Sequence, residues 1–118
     1  MVENNVATAV AYYQAMADKN LSEVAKYLHP NVRFNSPLVE LRGKEAVLDA
    51  IKKLTTLFNT LKIRAQFGSD DQAILVYDIN FPAPLGNSAA TALMTFQDGL
   101  IAKIELIFDA RPFDTKKK

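Results

Sequence analysis

Few side chains in this sequence are equipped for chemistry. Tyr13 and Tyr77 carry phenols that can donate a hydrogen bond to a carbonyl or epoxide oxygen. Ser36 ends a short alternating run, NVRFNSP, and offers a hydroxyl. A hydroxyl with no neighbouring base cannot take a proton from carbon at neutral pH, because its proton affinity is wrong by many orders of magnitude. His29, the one histidine, is a possible general base, but no carboxylate partner stands near it in Leu-His-Pro. There, at a helix end, it is expected to cap carbonyls or face solvent. One histidine, no cysteine and no H-x-x-E spacing leave too few ligands for a metal site, and no cofactor is expected. Asp109 and Arg111 in FDARPF form a surface ion pair on this reading, and Arg42 is a surface residue.

The elements that must hold these groups follow from periodicity. Val6, Val10, Tyr13 and Ala17 form one stripe of a helix over residues 3–18. Asn20 stands three residues before Glu23, the spacing of a capping box, and Leu21, Val24, Ala25 and Leu28 give the next apolar face. Pro30 is expected to stop that helix. Val32, Phe34 and Ser36 alternate with Arg33 and Asn35, which predicts a strand over 32–36. Between Gly43 and Phe58, the residues Val47, Leu48, Ile51, Leu54 and Phe58 recur at helical spacing.

After residue 60 the period becomes two. Ile63, Ala65 and Phe67 alternate with Lys62, Arg64 and Gln66; GSDD (68–71) is a turn. Leu75, Tyr77, Ile79 and Phe81 alternate with Asp78 and Asn80, and PAPLGN (82–87) is a loop at the rim of any cavity. Ala90, Ala92, Met94 and Phe96 make the next inward row. Asp98-Gly99 is a two-residue hairpin signal, and Ile104, Leu106 and Phe108 complete the set. Helices followed by an antiparallel sheet define an α+β class, with a curved sheet wrapped around three N-terminal helices and a cavity at the mouth of the cone.

The totals narrow the partners. The 118 residues suit one domain spanning 1–118, with a solvated, flexible tail at 114–118. Lys+Arg 14 against Asp+Glu 13 leaves +1, so no net field recruits nucleic acid or an acidic membrane, and the terminal KKK is too short to change that. MVENNVATAV has an acid where a signal peptide needs basic residues, and no membrane-length apolar run follows; a soluble, cytoplasmic protein is the expectation.

The element order, together with ADKNLSEVAKYLHPNVRFNSP, RGKEAV and IAKIELIFDARPF, resembles the nuclear-transport-factor-2-like superfamily, and within it the SnoaL-like and ketosteroid-isomerase-like proteins. The resemblance covers nearly the whole chain. It implies a cystatin-like, SnoaL-like α+β barrel with a conical apolar pocket, often a homodimer built on the outer sheet face. The family hosts isomerases, cyclases, dehydratases and epoxide hydrolases, and also proteins that only bind, so the fold leaves the reaction open. Carried over residue by residue, the isomerase tyrosine falls on Tyr13 and a last-strand aromatic on Phe108. The catalytic base position holds Ser36, and the position of the protonated acid holds Ala92. Both carboxylates are missing. An epoxide hydrolase of this kind needs an inward Asp–Arg–Asp set, whereas Asp78, Glu105 and Asp109 fall on the outward parity unless a bulge flips them.

The expectation is therefore a pocket lined by Tyr13, Phe34, Ser36, Tyr77, Ile79, Met94, Leu106 and Phe108 that takes a small apolar or oxygenated ligand. Tyr13 is the candidate hydrogen-bond donor and the sole catalytic candidate. The aliphatic and phenyl members are core residues first and walls only where the cone is left open. The alternative is a homodimeric interaction module with a filled cavity, using Thr91, Leu93, Thr95, Glu105 and Ile107 as its outer face. A steroid isomerase survives only if the strand register differs.

Overall fold

The computed structural model describes residues 2–111. The order is α1 (Val2–Ala17), α2 (Leu21–Ala25), β1 (Leu28–Asn35), β2 (Glu40–Arg42), α3 (Lys44–Thr55), then β3 (Thr60–Ser69), β4 (Gln72–Phe81), β5 (Gly86–Gln97) and β6 (Leu100–Phe108). The strands form one curved, unclosed sheet in the order β2-β1-β6-β5-β4-β3. The α+β class with three helices against a curved sheet is as expected. The tail at 114–118 lies outside the described residues. Among the described residues no helix is long and apolar enough to cross a membrane.

Several boundaries differ from the periodicity. The second helix ends at Ala25, well before Pro30, and Leu28 opens β1 opposite Ile101 of β6. Asn20 does cap this helix, its Oδ1 accepting the Glu23 amide at 3.2 Å, but Glu23 turns to Lys26 and Tyr27 instead of closing a reciprocal box. β2 was not anticipated, because three residues carry too little period to register; it pairs antiparallel with β1, Phe34 opposite Leu41. β1 runs parallel to β6, so the sheet is mixed rather than wholly antiparallel. His29 consequently sits on β1 and not at a helix end, and its Nδ1 accepts the Asn31 amide at 3.0 Å.

The turns obey their residue chemistry. Asp98 and Gly99 have φ of 56° and 79°, the pair of positive angles that a tight hairpin between Gln97 and Leu100 requires. Gly43, at φ 91°, turns the chain from β2 into α3 in a region costly for any other residue, while its amide donates to the Val32 carbonyl at 2.8 Å.

The core lies between the sheet's concave face and the helices. Ala9, Tyr12, Tyr13 and Met16 of α1 are buried, whereas Val6, Val10 and Ala17 are only half-buried, so the inward stripe is rotated by about one residue from the expected one. The rotation follows from α1 packing against both β3 and β4.

A bulge decides which face β3 presents. Ile63 pairs with Tyr77 but Ala65 with Val76, leaving Arg64 as the extra residue. Beyond it the parity flips: Phe67, expected inside, pairs with outward Ile74 and is 62% exposed. The slip moves Phe67 and leaves Asp78 outside, where it meets Arg64 at 3.4 Å.

Candidate functional site

Two adjoining cavities open between the sheet and α3. The inner one, about 330 Å³, is walled by Tyr12 and Tyr13 of α1, Phe34 of β1, Leu41 of β2, Ile51 of α3 and Leu106 of β6. The outer one, about 490 Å³, runs from Ile79 and Phe81 at the end of β4 across the Pro82–Leu85 loop to Ala90 of β5. They share Leu38, Leu54, Leu57, Tyr77, Leu106 and Phe108, so they meet along one apolar seam. The loop is shorter than the PAPLGN stretch: residues 82–85 line the outer cavity, whereas Gly86 and Asn87 open β5.

Period-two patterning aims the sheet residues here. On β4, Tyr77, Ile79 and Phe81 are buried while Val76, Asp78 and Asn80 between them are only half-buried. On β6, Leu106 and Phe108 follow Ile104 on the same face. Of the expected pocket residues, Tyr13, Phe34, Ser36, Tyr77, Leu106 and Phe108 line the inner cavity, and Tyr77, Ile79, Leu106 and Phe108 the outer. Met94 differs. It is fully buried between Ala73 and Ile104 and belongs to the packed core, not to the walls of these two cavities, because it lies further along β5 than Ala90. The walls that the strand pattern did not reveal come from α1, α3 and the connections: Tyr12, Leu54, Leu57 and Leu38. Leu57 and Leu38, 57% and 53% exposed, are apolar residues off any core stripe, and that is the signal that could have found them.

Ser36 stands at the inner cavity with its hydroxyl otherwise engaged. Its Oγ accepts the amides of Leu38 at 3.2 Å and Val39 at 3.1 Å, and donates to the Val39 carbonyl at 3.2 Å. It is a turn-forming serine that closes the loop between β1 and β2.

Three phenols, of Tyr12, Tyr13 and Tyr77, line the inner cavity. Tyr13 packs on Tyr77 with ring centroids 4.7 Å apart and planes tilted by 37°, and Tyr12 stands edge-on to Tyr13 at 4.9 Å. Burial is the main force on all three: it raises Tyr12 and Tyr13 well above the ordinary tyrosine range and pushes Tyr77 up to about 12. The neighbouring Tyr77 and Tyr12 phenols raise Tyr13 further, while the proximity of Tyr13 offsets part of the rise at Tyr77. All three phenols are neutral near pH 7.

Among the described residues no Asp, Glu or His lines either cavity, and Lys53, exposed at the edge of the inner one, is the only charged lining residue. Asp109 is exposed and held down to about 2 by its bidentate contact with Arg111. His29 is absent from both linings. Among the described residues no group of three His, Cys, Asp or Glu side chains could hold a metal ion. The arrangement can enclose an apolar body, exclude water from it and present a neutral hydroxyl to one oxygen.

The comparisons with known proteins agree with this shape. The SnoaL-like domain family matches residues 9–104. No curated protein matches the sequence. Among solved structures, an NTF2-like protein of unknown function from Cytophaga hutchinsonii superposes with a TM-score of 0.80 at 25% identity, covering 90% of each chain. A ketosteroid isomerase-like protein from Kribbella flavida gives 0.79 at 15% identity, over 92% of this chain and 79% of its own. An LEH-like epoxide hydrolase from M. tuberculosis gives 0.81 at 15% identity, over 98% and 89%.

Proposed function

The chain belongs to the SnoaL-like domain family, and from that premise we propose that it binds a small, mainly apolar molecule bearing one or two neutral oxygens in the paired cavities. The carrying observation is that two adjoining chambers of about 490 and 330 Å³ have mainly apolar walls, with the Tyr77 phenol at the seam, two more phenols in the inner chamber and no carboxylate lining either among the described residues. Burial of the ligand's apolar surface supplies affinity, at roughly 25 cal/mol per Å² before ordering costs. A tyrosine hydroxyl fixes its orientation.

Structural relatives include isomerase-like and hydrolase proteins, yet the groups such reactions demand are not assembled at these cavities among the described residues. Abstraction of a proton from carbon needs a base in reach, and the base position holds a serine engaged in its own loop. Any catalysis is confined to polarising a carbonyl or epoxide through a phenol. The steroid-isomerase reading depended on a different register; the bulge in β3 leaves Asp78 outside.

The test is a thermal-shift screen of sterols, polyketides, terpenoids and their epoxides against the wild type and Ala90→Leu, which fills the outer chamber. A ligand that raises Tm for the wild type and not for Ala90→Leu supports the reading. No shift with any compound removes it.

A second reading is favoured by a separate observation. Phe67, Ile74 and Ile107 are exposed apolar residues on the outer sheet face, beside Leu93 and Thr91. This supports a homodimer through that face, compatible with ligand binding inside each cone.

A further inference from the structure

Among the described residues the outer chamber has three hydroxyls in its wall, those of Thr56, Tyr77 and Ser88, and no charged side chain. Tyr77 stands at the seam with the inner chamber. Thr56 follows α3, where its Oγ1 donates to the Lys53 carbonyl at 2.6 Å. Ser88 lines the outer chamber and not the inner, and its hydroxyl makes no hydrogen bond to another described residue. The fold explains why that hydroxyl is uncommitted. Ser88 shares a face of β5 with the buried Ala90 and Ala92, and its partner on β4 is the buried Ile79. On the other side β6 ends at Phe108, opposite Ala90, so no β6 residue pairs with Ser88. Its one cross-strand neighbour is an isoleucine, which has nothing to offer a hydroxyl.

We infer that Ser88 is a ligand-binding residue: its hydroxyl holds an uncharged oxygen, of an alcohol or a ketone, at the loop end of the outer chamber, and the ligand's apolar body points from there towards the seam. The inference rests on the binding reading above and adds to it a second anchor and a direction for the ligand.

A serine hydroxyl both donates and accepts, so it serves a carbonyl or another hydroxyl equally well. The walls around it set the rest. Ile79 pairs with Ser88, Phe81 pairs with Gly86, and residues 82–85 join the two strands. An oxygen placed among the side chains of Ile79, Phe81, Pro82 and Pro84 meets no hydrogen-bonding group, and it loses its water without replacement unless Ser88 supplies one. A charged group is disfavoured more strongly, because no lining side chain of this chamber carries an opposite charge. The direction follows from the register. Ser88 lies two residues along β5 from Ala90, the partner of both Tyr77 and Phe108, which is about 7 Å of strand. An apolar body can therefore lie over Ala90 while one oxygen reaches Ser88. Ser88 is half-buried, and a ligand so seated displaces the remaining water from it.

The experiment titrates naphthalenemethanol, ethylnaphthalene and naphthoate, which share one ring system and nearly one shape, into the wild type, Ser88→Ala and Thr56→Val. Binding is read by naphthalene fluorescence. The expected result is that Ser88→Ala weakens the alcohol about five- to tenfold, the loss of one hydrogen bond, and leaves the hydrocarbon within about twofold. Retained hydrocarbon binding shows that the variant is folded with its chamber intact. Thr56→Val should change neither probe by more than about twofold, and naphthoate should bind the wild type about tenfold more weakly than the alcohol or worse. An alcohol unaffected by Ser88→Ala, or alcohol and hydrocarbon weakened alike, overturns the role of Ser88, while hydrocarbon binding to the wild type upholds the cavity. A selective loss of the alcohol in Thr56→Val that matches or exceeds the loss in Ser88→Ala also overturns it. Naphthoate bound as tightly as the alcohol overturns the restriction to uncharged oxygens. If none of the three probes binds the wild type, this inference and the binding reading fall together.

Discussion

The Ser36 main-chain amide donates to the Val39 carbonyl at 2.9 Å while the Ser36 hydroxyl accepts the Val39 amide at 3.1 Å. Two residues thus close a loop from both sides at the edge of the inner cavity. Ser36→Ala removes the hydroxyl's contacts with Leu38 and Val39, and a loss of about 1 kcal/mol in unfolding free energy is expected for so accessible a site. Affinity for an apolar probe should change by less than about twofold, since the hydroxyl serves the loop. Urea denaturation beside probe titration checks both, and a tenfold loss of affinity would return Ser36 to the ligand.

Ala90 lies on β5 opposite Tyr77 and Phe108 and contributes to the wall of the outer chamber. Added volume in a packed core costs about 1–3 kcal/mol, but here the new methyl groups enter open space. Ala90→Leu should leave the unfolding free energy within about 1 kcal/mol of the wild type and weaken an apolar probe about tenfold or more. Unchanged probe affinity would mean that ligand occupies the inner chamber only.

Alkali should loosen the fold through the buried phenols. Burial pushes Tyr77 up to about 12, so the folded chain keeps a proton that an unfolded tyrosine loses near pH 10. The resulting stability is complete below about pH 10 and is lost as pH rises towards 12, roughly 3 kcal/mol for this group. Tyr13, raised further, adds to the same slope. Urea midpoints measured across this range should fall steeply for the wild type and less so for Tyr77→Phe, with tyrosinate absorbance rising as the fold is lost. A flat profile would show that the Tyr77 phenol titrates in the folded state as an ordinary tyrosine.

On the outer face, Ile107 of β6 is 62% exposed and pairs with Thr91, three strands from Phe67 of β3. If copies of the chain associate there, Ile107→Asp should convert a dimer to a monomer in sedimentation velocity, because a carboxylate would be buried unpaired in the contact. The substitution is on the solvent side of β6, so the monomer's own stability should shift by less than about 0.5 kcal/mol. A dimer that persists places the interface elsewhere.

What the sequence determined by itself is local. Alternation fixed the inward rows of β4, β5 and β6, and Asp98-Gly99 fixed one hairpin, because period and turn angles are set by neighbouring residues. The resemblance it carries sets Ser36 and Ala92 at the positions where an isomerase of this kind holds its two carboxylates. Tertiary structure alone decided the rest. The three-residue β2, the parallel β1–β6 pair and the Arg64 bulge depend on partners distant in the chain, and the bulge turned Phe67 outward against its local pattern. Likewise Met94 looked like a pocket residue by parity, until strand position sealed it in the core, whereas Ser36 lines the inner cavity with its hydroxyl engaged by its own loop. The pairing of Tyr13 with Tyr77, residues on α1 and β4, exists only because the sheet curls over the helix. Side-chain period says which face a residue takes, but the curvature of a sheet and the space left beneath it are sums over every contact in the fold.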